Sequence, residues 1–405
     1  MARIGIYGGT FNPIHRGHIE AAKQAVQLLK LDKLLMIPAA TPPHKTLPEG
    51  SASPLQRLEM VKLSVGQEDA FKVSDIELNR EGRSYTADTV EQLHKLYPKD
   101  HLYLLMGTDM FYSFLHWYQP ERICRFATLG VMLREDERHT NRGLLEKTAE
   151  DVRRELGGRV RFVNNKALPM SSTDVRRMIV FQAAEEMLPS GVWDKIQQWK
   201  LYGAAECLED LPMDKLEATV CKLLDHRRIS HVLGCRDTAV LLAEKYGVDT
   251  EVVSRSALLH DITKALPFSQ QEMLLRSFGV LPEDYREETP NTIHAFTGSL
   301  VAKRIFGEND DVCRAIASHT TGCTGMDTLQ KIIYIADYIE PNRDFPGAET
   351  LRKLTLEDLD TGVLQGLQMT AELVKNRGHI MAKATQDAIS YMSALCNKKT
   401  LEKEK

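Results

Sequence analysis

The chain has 405 residues, more than one ordinary hydrophobic core accommodates, so we expect two domains. Its 52 lysines and arginines nearly balance 56 aspartates and glutamates, and the formal net charge of −4 excludes a protein that binds nucleic acid through a cationic surplus. The seven cysteines are an odd number without a C-x-x-C pair, which favours free thiols in a reducing compartment. Because the N-terminus resembles no leader and no apolar run has membrane-spanning length, the sequence predicts a cytoplasmic protein with no membrane partner.

The first stretch that indicates chemistry is GGTFNPIHRGH, residues 8–18. The apolar run Arg3–Tyr7 predicts a buried strand, and the two glycines after it permit a tight turn. A helix is predicted from Arg16, because apolar residues recur there at spacings of three and four. His15 and His18 would then share one side of its first turn, where unpaired N–H groups and the helix dipole favour a phosphate. The alternative is an ordinary turn with a polar helix cap.

Strands and helices then alternate up to residue 203, as in parallel βαβ units that bind ligands at the strands' C-terminal ends. We expect strands at residues 33–37, 71–76, 101–106, 128–133 and 161–163, and helices at 55–65, 86–96, 144–156 and within 189–203. One predicted strand ends at Gly107-Thr108-Asp109, and the pair Trp117-Tyr118 follows. The aromatic pair is either core or a platform for a heteroaromatic ring, and the pattern leaves both open.

A second phosphate site is predicted at SSTDVR, residues 171–176. Ser171 or Ser172 is a natural N-cap for a helix running through Met178, and Arg176 lies one turn into it. Read alone, the segment is equally a simple capping motif. Likewise Lys45, in a loop stiffened by prolines, either reaches a phosphate or is an ordinary solvated lysine.

Taken together, GGTFNPIHRGH, PPHK, SYTADTVEQL, GTD followed by WY, and SSTDVR resemble the bacterial nicotinate-nucleotide adenylyltransferases over residues 1–203. The resemblance implies an α/β Rossmann-like nucleotidylyltransferase domain that transfers AMP from ATP to nicotinate mononucleotide, with Mg²⁺ on the triphosphate. The implied ATP-binding residues are Gly8, Gly9, Thr10, Phe11, His15, His18, Ser171, Ser172, Thr173 and Arg176. The implied catalytic residues are His15, His18, Lys45, Arg134 and Arg176, while Thr86, Asp109, Trp117 and Tyr118 would frame the nicotinate nucleotide. Another acceptor, such as a pantetheine-type one, is the alternative.

From about residue 211 to 392 the periodicity is helical only, which predicts an all-α domain over residues 204–396 and a polar tail at 397–405. Its segments carry scattered possible metal ligands, namely His231, His260, Asp261, His294, His319 and Asp337. This spacing excludes a zinc finger, and nitrogen and oxygen ligands without thiolate suit Fe, Mn, Mg or Zn in an open catalytic site. Any one of these histidines alone is more often a satisfied core or surface residue. The doublet His260-Asp261 differs, because it ends an apolar helix face where burial is costly without a partner.

The doublet and its surroundings, RISH, LLHDITK, HAFTG, SHTTG and IADYIEPNRDFPG, resemble the HD-domain phosphohydrolases that split diadenosine tetraphosphate into two ADP. The resemblance implies one metal on His231, His260, Asp261 and Asp337, a second on His294 and His319, and Asp261 as bridge; Fe is favoured, with Mn or Zn as alternatives. It also implies phosphate contacts from Lys264, Thr320, Thr321 and Arg343. Guanosine polyphosphate or another nucleotide as substrate, and a nucleotide-sensing module, stay as alternatives. The sequence leaves open whether the chain forms a homo-oligomer.

Overall fold

The computed structural model describes residues 1–42, 46–66, 68–133, 142–166 and 168–403. Lys45 and Arg134, two of the predicted catalytic residues, therefore lie outside the described residues. The chain divides into two compact units, Met1–Glu206 and Cys207–Lys405. Unit 1 is α/β with a parallel sheet and unit 2 is helical, so the predicted fold class is confirmed.

Strands and helices alternate in unit 1. The strands are β1 (Arg3–Gly9), β2 (Lys33–Pro38), β3 (Phe71–Val73), β4 (His101–Gly107), β5 (Ala127–Met132) and β6 (Arg159–Val163). The helices are α1 (Arg16–Leu29), α2 (Pro54–Val65), α3 (Thr86–Leu96), α4 (Thr108–Tyr112), α5 (Pro120–Phe126), α6 (Arg142–Leu156), α7 (Ser172–Val180) and α8 (Val192–Trp199), with 3₁₀ turns at Phe114–His116 and Glu185–Met187.

The six strands form one parallel sheet in the order β3-β2-β1-β4-β5-β6. β1 lies at its centre, where Ile6 is opposite Leu35 of β2 on one side and Leu104 of β4 on the other. The chain order changes direction between β1 and β4, and ligands of such sheets bind outside the strand ends at this point. Residues 8–9 and Gly107 end these two strands. They therefore border the place where ligands of such sheets bind.

Two parts of unit 1 differ from the predicted elements. β3 ends at Val73 instead of Ile76, because its pairing with β2 extends only from Phe71 to Val73 at the edge of the sheet. The short helices α4 and α5 were not predicted. α5 has Pro120 in its first turn, where the missing N–H and the fixed φ of proline are favourable.

Helices are the regular elements of unit 2 up to residue 403. They are α9 (Met213–Leu223), α10 (His226–Tyr246), α11 (Thr250–Leu259), α12 (Phe268–Ser277), α13 (Ile293–Ile305), α14 (Asp310–Ser318), α15 (Thr328–Ile339), α16 (Ala348–Glu357), α17 (Leu359–Asn376) and α18 (Lys383–Lys403), with a 3₁₀ turn at Pro282–Asp284. We expected a polar tail at residues 397–405, but helix α18 continues through Lys403.

The core of unit 2 brings together four of the five helices that carry or directly precede the predicted ligands. One buried cluster contains Cys235 of α10, Ala257 of α11, Ala315 of α14 and Ile332 of α15. Small side chains at the first three positions permit close approach of the helices. Within the described ranges, no helix combines the length and the apolar character that crossing a membrane requires.

Candidate active sites

The turn after β1 holds a bulky residue in the left-handed backbone region. Phe11 has a φ of 48°, and its ring packs edge-on against the rings of Tyr7 and His18, with centroid distances of 5.7 and 5.2 Å. A β-carbon on Gly9 would lie 3.0 Å from the Phe11 ring, so glycine provides the space for that ring. Such backbone strain concentrates at functional sites. The turn is thereby fixed in one shape directly before α1.

His15 and His18 lie against each other at the start of α1, with ring centroids 3.6 Å apart. His15 is 4% exposed, and burial, followed by the neighbouring His18, lowers the pKa of His15 well below 6.5. The backbone N–H of His15 donates to Nδ1 of His18 at 3.3 Å, so a neutral His18 carries its proton on Nε2. The cap that was the alternative interpretation is therefore present. The same geometry places an Nε2–H donor at the helix N-terminus.

The SSTDVR segment begins α7 and is bonded to the turn after β1. Ser171 is the N-cap, and its Oγ accepts a hydrogen bond from the Asp174 N–H at 3.2 Å. Ser172 Oγ donates to the carbonyl of Pro13 at 3.0 Å, and Arg176 Nη1 donates to the carbonyl of Asn12 at 2.8 Å. The structure thus joins the two predicted phosphate motifs through hydrogen bonds, although they are about 160 residues apart in the chain.

Two buried residues that sequence reasoning missed also hold this turn. Arg57 is fully buried and donates to the carbonyls of Thr10 (2.7 Å) and Ala40 (3.0 Å). The Tyr202 hydroxyl donates to Oδ1 of Asn12 at 2.9 Å. A signal for Arg57 was available, because it lies in the apolar stripe of α2 beside Leu58, where an unpaired cation is costly.

The residues predicted to frame the nicotinate nucleotide are distributed over three segments. Thr86 begins α3, and Asp109 lies in the first turn of α4. The pKa of the half-buried Tyr7 is raised first by desolvation and then by the charge of Asp109. Trp117 packs against the core, and its Nε1–H donates to Ser113 Oγ at 3.3 Å. Tyr118 instead is 46% exposed and stacks on Tyr85, with centroids 4.3 Å apart. Trp117 is therefore partly buried against the core and Tyr118 is exposed, while the platform for a heteroaromatic ring stays a prediction.

In unit 2, the six predicted metal ligands come from five helices or their ends. His231 lies on α10, His294 on α13 and Asp337 on α15. The doublet directly follows α11, and His319 directly follows α14. The four histidine rings form a chain of edge-on contacts. The centroid distances are 5.5 Å for His231 to His260, 5.0 Å for His260 to His319 and 5.1 Å for His319 to His294.

Asp261 lies at the centre of this cluster and presents one carboxylate oxygen to each of two pairs of histidines. Its Oδ2 is 3.7 Å from His231 Nε2 and 3.6 Å from His260 Nε2. Its Oδ1 is 3.4 Å from His294 Nε2 and 3.6 Å from His319 Nε2. Asp337 adds a second carboxylate, with Oδ1 3.1 Å from His231 Nε2. Two sets have their ligand atoms within 4.8 Å of one another, His231 with His260 and Asp337, and His260 with Asp261 and His319.

The protonation of two rings shows that the cluster suits a divalent metal. His260 and His319 place Nδ1 2.7 Å from the carbonyls of Ala257 and Ile316, which only accept, so in the neutral form of either ring the proton is on Nδ1 and Nε2 offers a lone pair. Burial lowers the pKa of His260 to about 4, which keeps this ring neutral. Its Nε2 is buried and has no hydrogen-bond partner among the described residues. Neutral imidazoles and carboxylates fit Fe, Mn or Zn.

Cationic and hydroxyl side chains border the cluster. Lys264 Nζ is 2.8 Å from His294 Nε2, Thr320 Oγ1 is 3.1 Å from His319 Nε2, and Arg343 Nη2 is 2.5 Å from Asp337 Oδ1. Thr321 instead donates to the backbone carbonyl of Gly322 at 3.0 Å and not to a predicted ligand. Lys264, Thr320 and Arg343 are therefore the predicted phosphate contacts that the structure brings to the cluster.

Sequence reasoning missed two residues at this cluster. Arg228 forms an ion pair with Asp261 Oδ2, and Glu340 lies 3.1 Å from Nδ1 of His231. Each is three residues from a predicted ligand on the same helix or its end, Arg228 before His231 and Glu340 after Asp337. Residues three apart share a helix face, so this spacing was a usable signal.

Comparison with known families first defines the class of each unit. Residues 6–178 match the cytidylyltransferase-like family, and residues 228–342 match the HD domain. Unit 1 is therefore a cytidylyltransferase-like domain, and unit 2 contains an HD domain.

Individual relatives narrow the first assignment. Probable nicotinate-nucleotide adenylyltransferases from Exiguobacterium sibiricum and Thermus thermophilus are 35% and 44% identical over 201 and 132 residues, which cover 49% and 33% of this chain and 98% and 69% of the relatives. Through unit 1, the chain belongs to the nicotinate-nucleotide adenylyltransferase family. A crystal structure of a predicted HD superfamily hydrolase involved in NAD metabolism from Clostridium acetobutylicum is 37% identical and has a TM-score of 0.43, with 45% of this chain and 98% of that chain covered.

Proposed function

We propose that unit 1 transfers AMP from ATP to nicotinate mononucleotide, giving deamido-NAD and pyrophosphate in NAD biosynthesis. Membership of the adenylyltransferase family supports the substrate pair. The observation that carries the proposal is the bonding of Ser172 and Arg176 to the turn that leads into His15 and His18. This bonding supports a single phosphate site made from two distant motifs.

The chemistry requires no protein nucleophile. A phosphate oxygen of nicotinate mononucleotide attacks the α-phosphorus of ATP, and the bond from that phosphorus to the oxygen bridging to the β-phosphorus breaks to release pyrophosphate. Mg²⁺ enters bound to the ATP phosphates, as part of the substrate. His18 donates its Nε2–H to phosphate oxygens, and Arg176 adds positive charge, so catalysis rests on positioning and charge stabilisation.

Replacement of His18 by alanine tests this assignment. We expect kcat for deamido-NAD formation to fall about 100-fold, since removing one preorganised donor to developing charge typically costs 10²–10³. Far-ultraviolet circular dichroism should be unchanged, because the helical fold does not depend on this ring. His101→Ala is the matched control, since His101 is exposed at the opposite end of β4. An unchanged kcat in His18→Ala would remove the role given to this residue.

For unit 2 we propose a metal-dependent phosphohydrolase that splits diadenosine tetraphosphate, a dinucleoside polyphosphate, into two ADP. Water supplies the oxygen that attacks one of the two central phosphorus atoms, and the bond from that phosphorus to the central bridging oxygen breaks. The observation that carries this proposal is the buried cluster in which Asp261 presents one oxygen to each pair of histidines. The match of residues 228–342 to the HD domain supports it.

The residues around the cluster have separate tasks in this proposal. His231, His260, Asp261 and Asp337 would hold one metal, and His294 and His319 a second, with Asp261 between them. When bound, such ions supply Lewis-acid activation of water and of the phosphoryl group. Lys264, Thr320 and Arg343 bind the phosphate oxygens at the border of the cluster. A complete ligand set favours hydrolysis over a purely sensing module, which would not require it.

Replacement of Asp261 by alanine tests unit 2. We expect loss of the bound metal, measured by elemental analysis, together with loss of ADP release, measured by chromatography. Asp311→Ala is the control, because Asp311 is exposed on α14. Retained metal stoichiometry in Asp261→Ala would contradict the ligand set. Hydrolysis of a guanosine polyphosphate in place of diadenosine tetraphosphate by the wild-type chain would keep the metal site and overturn the substrate.

A further inference from the structure

Glu340 is a buried carboxylate that neither motif nor resemblance assigns. It follows α15 directly and is 1% exposed. Its Oε1 lies 3.1 Å from Nδ1 of His231, on the side of the ring that faces away from Asp337. A buried carboxylate is costly unless it is paired and hydrogen-bonded, so this position calls for a physical reason.

The surroundings of Glu340 fix the carboxylate in place. Its Oε2 accepts from the backbone N–H of Asn342 at 2.7 Å and from Nδ2 of the same residue at 2.9 Å. A β-carbon on Gly234 would lie 2.6 Å from this Oε2, which is shorter than real contacts allow. Gly234 is one turn after His231 on α10, so the helix that carries the ring also leaves room for its partner. One oxygen is thus held by the chain, and the other faces the imidazole.

The contact also determines which nitrogen of His231 carries a proton. An ionised carboxylate only accepts, so Nδ1–H donates to Glu340, and in the neutral ring the lone pair is on Nε2, the nitrogen on the side of Asp337 and Asp261. In His260 and His319 a backbone carbonyl has this role. Among the described contacts, His231 is the member of the set whose Nδ1 faces a carboxylate. A carboxylate on the far nitrogen of a metal-binding histidine orients the ring and makes it a better ligand.

We propose that Glu340 is a positioning residue that holds His231 in its metal-binding tautomer and orientation, and that it sets the metal affinity of unit 2. The proposal rests on the metal site of the proposed function, and it concerns neither the nucleotide substrate nor the bond that is cleaved. Loss of such an outer partner typically lowers metal affinity 10- to 100-fold. The effect is therefore measurable with the metal alone.

The test is titration of the metal-free full-length chain with Co²⁺ in competition with a chelator. We expect Glu340→Gln to weaken Co²⁺ binding by about 10-fold or more and to change the visible ligand-field spectrum, because the neutral amide orients His231 less and lowers its basicity. A purely structural role would lower the thermal midpoint of the metal-free chain and leave that spectrum alone. Glu349→Gln is the matched control, since Glu349 pairs with Arg352 at the surface and has a side chain that is 69% exposed.

Gly234→Ala is a second, independent substitution that perturbs the Glu340 carboxylate. The added methyl displaces Glu340 without changing its charge, so we expect weaker Co²⁺ binding and an altered spectrum here too. If Glu340→Gln binds Co²⁺ with an affinity within twofold of wild type and has the same spectrum, the positioning role is overturned and the metal site is retained. Absence of Co²⁺ binding by the wild-type chain would overturn the metal site itself, and the positioning role with it.

Discussion

The two histidines that follow helices α11 and α14 show how a helix end prepares a metal ligand. The last carbonyls of a helix have no partner within it, and a side chain at the end is free to satisfy one. His260 and His319 each do so with Nδ1, three residues after the carbonyl that they contact. Their Nε2 lone pairs are thereby directed into the cluster. The local ends of the helices, and not only the packing between them, therefore select the tautomer.

His15 leads to a prediction on pH and stability. Its pKa is well below 6.5 in the folded chain, so on acidification the unfolded chain binds a proton that the folded chain does not. Stability is therefore fully present above about pH 6.5 and decreases as the pH falls below it. Between about pH 7.5 and about pH 5.5, we expect this ring to remove about 1 kcal/mol of unfolding free energy, and His15→Gln to abolish that loss.

Tryptophan fluorescence in urea measures this effect in the full-length chain. The three tryptophans, Trp117, Trp193 and Trp199, all belong to unit 1, so the signal reports that unit. His101→Gln serves as the control because this ring is exposed. An equal loss of unfolding free energy in wild type and His15→Gln would show that the proton binds elsewhere.

The sequence predicted side chains whose chemistry is local better than those whose partner is distant. GGTFNPIHRGH and the His-Asp doublet are short, and the burial of imidazole and carboxylate at helix ends already indicates a ligand or a partner. Arg57 and Glu340 each carried a spacing signal on their own helix or its end, but their partners, the turn after β1 and the His231 ring, come from elsewhere in the unit and could not be read from it. Arg228 was missed for the same reason, because its partner Asp261 lies 33 residues further along the chain.

At the level of elements, α7 shows one segment with two uses. Ser171 satisfies the helix N-terminus, and Ser172 bonds the turn after β1. Both the simple capping interpretation and the association with the first motif therefore hold for adjacent residues. A capping motif was predictable from sequence, because it is read within four residues. Its bond to Pro13 was not, since it depends on how the sheet folds.

Replacing Ser171 by alanine should destabilise unit 1. The variant leaves the N–H of Asp174 without its acceptor, and loss of a serine N-cap costs about 1 kcal/mol. Ser64→Ala is the control, because that hydroxyl bonds the carbonyl of Met60 inside α2 and caps nothing, so we expect a change within about 0.5 kcal/mol. Urea unfolding followed by tryptophan fluorescence measures both. Equal stability of the two variants would contradict the capping role.

The alternating pattern of unit 1 and the purely helical pattern of unit 2 were strong enough to predict the fold class, because buried parallel strands and amphipathic helices have different periods. Element ends were less predictable. β3 is shorter than its apolar run because strand length depends on the partner strand, and α4 and α5 are shorter than one clear amphipathic repeat. The polar end of the chain forms part of α18 although its composition predicted a tail.

At the scale of the whole molecule, the two proposed phosphate sites belong to two different compact units of one chain. The proposed site of unit 1 uses two imidazoles and an arginine at a helix N-terminus, and the proposed site of unit 2 uses histidines and aspartates in the core of a helical unit. The two chemistries share no residue, so each should be removable alone.

The most direct test measures both activities on the full-length chain in His18→Ala and Asp261→Ala. We expect His18→Ala to lose about 100-fold in deamido-NAD formation while ADP release from diadenosine tetraphosphate stays within about twofold. Asp261→Ala should lose ADP release and retain deamido-NAD formation. A variant that loses both activities while its circular dichroism is unchanged would contradict two separate sites. Full deamido-NAD formation by His18→Ala together with full ADP release by Asp261→Ala would contradict both sites.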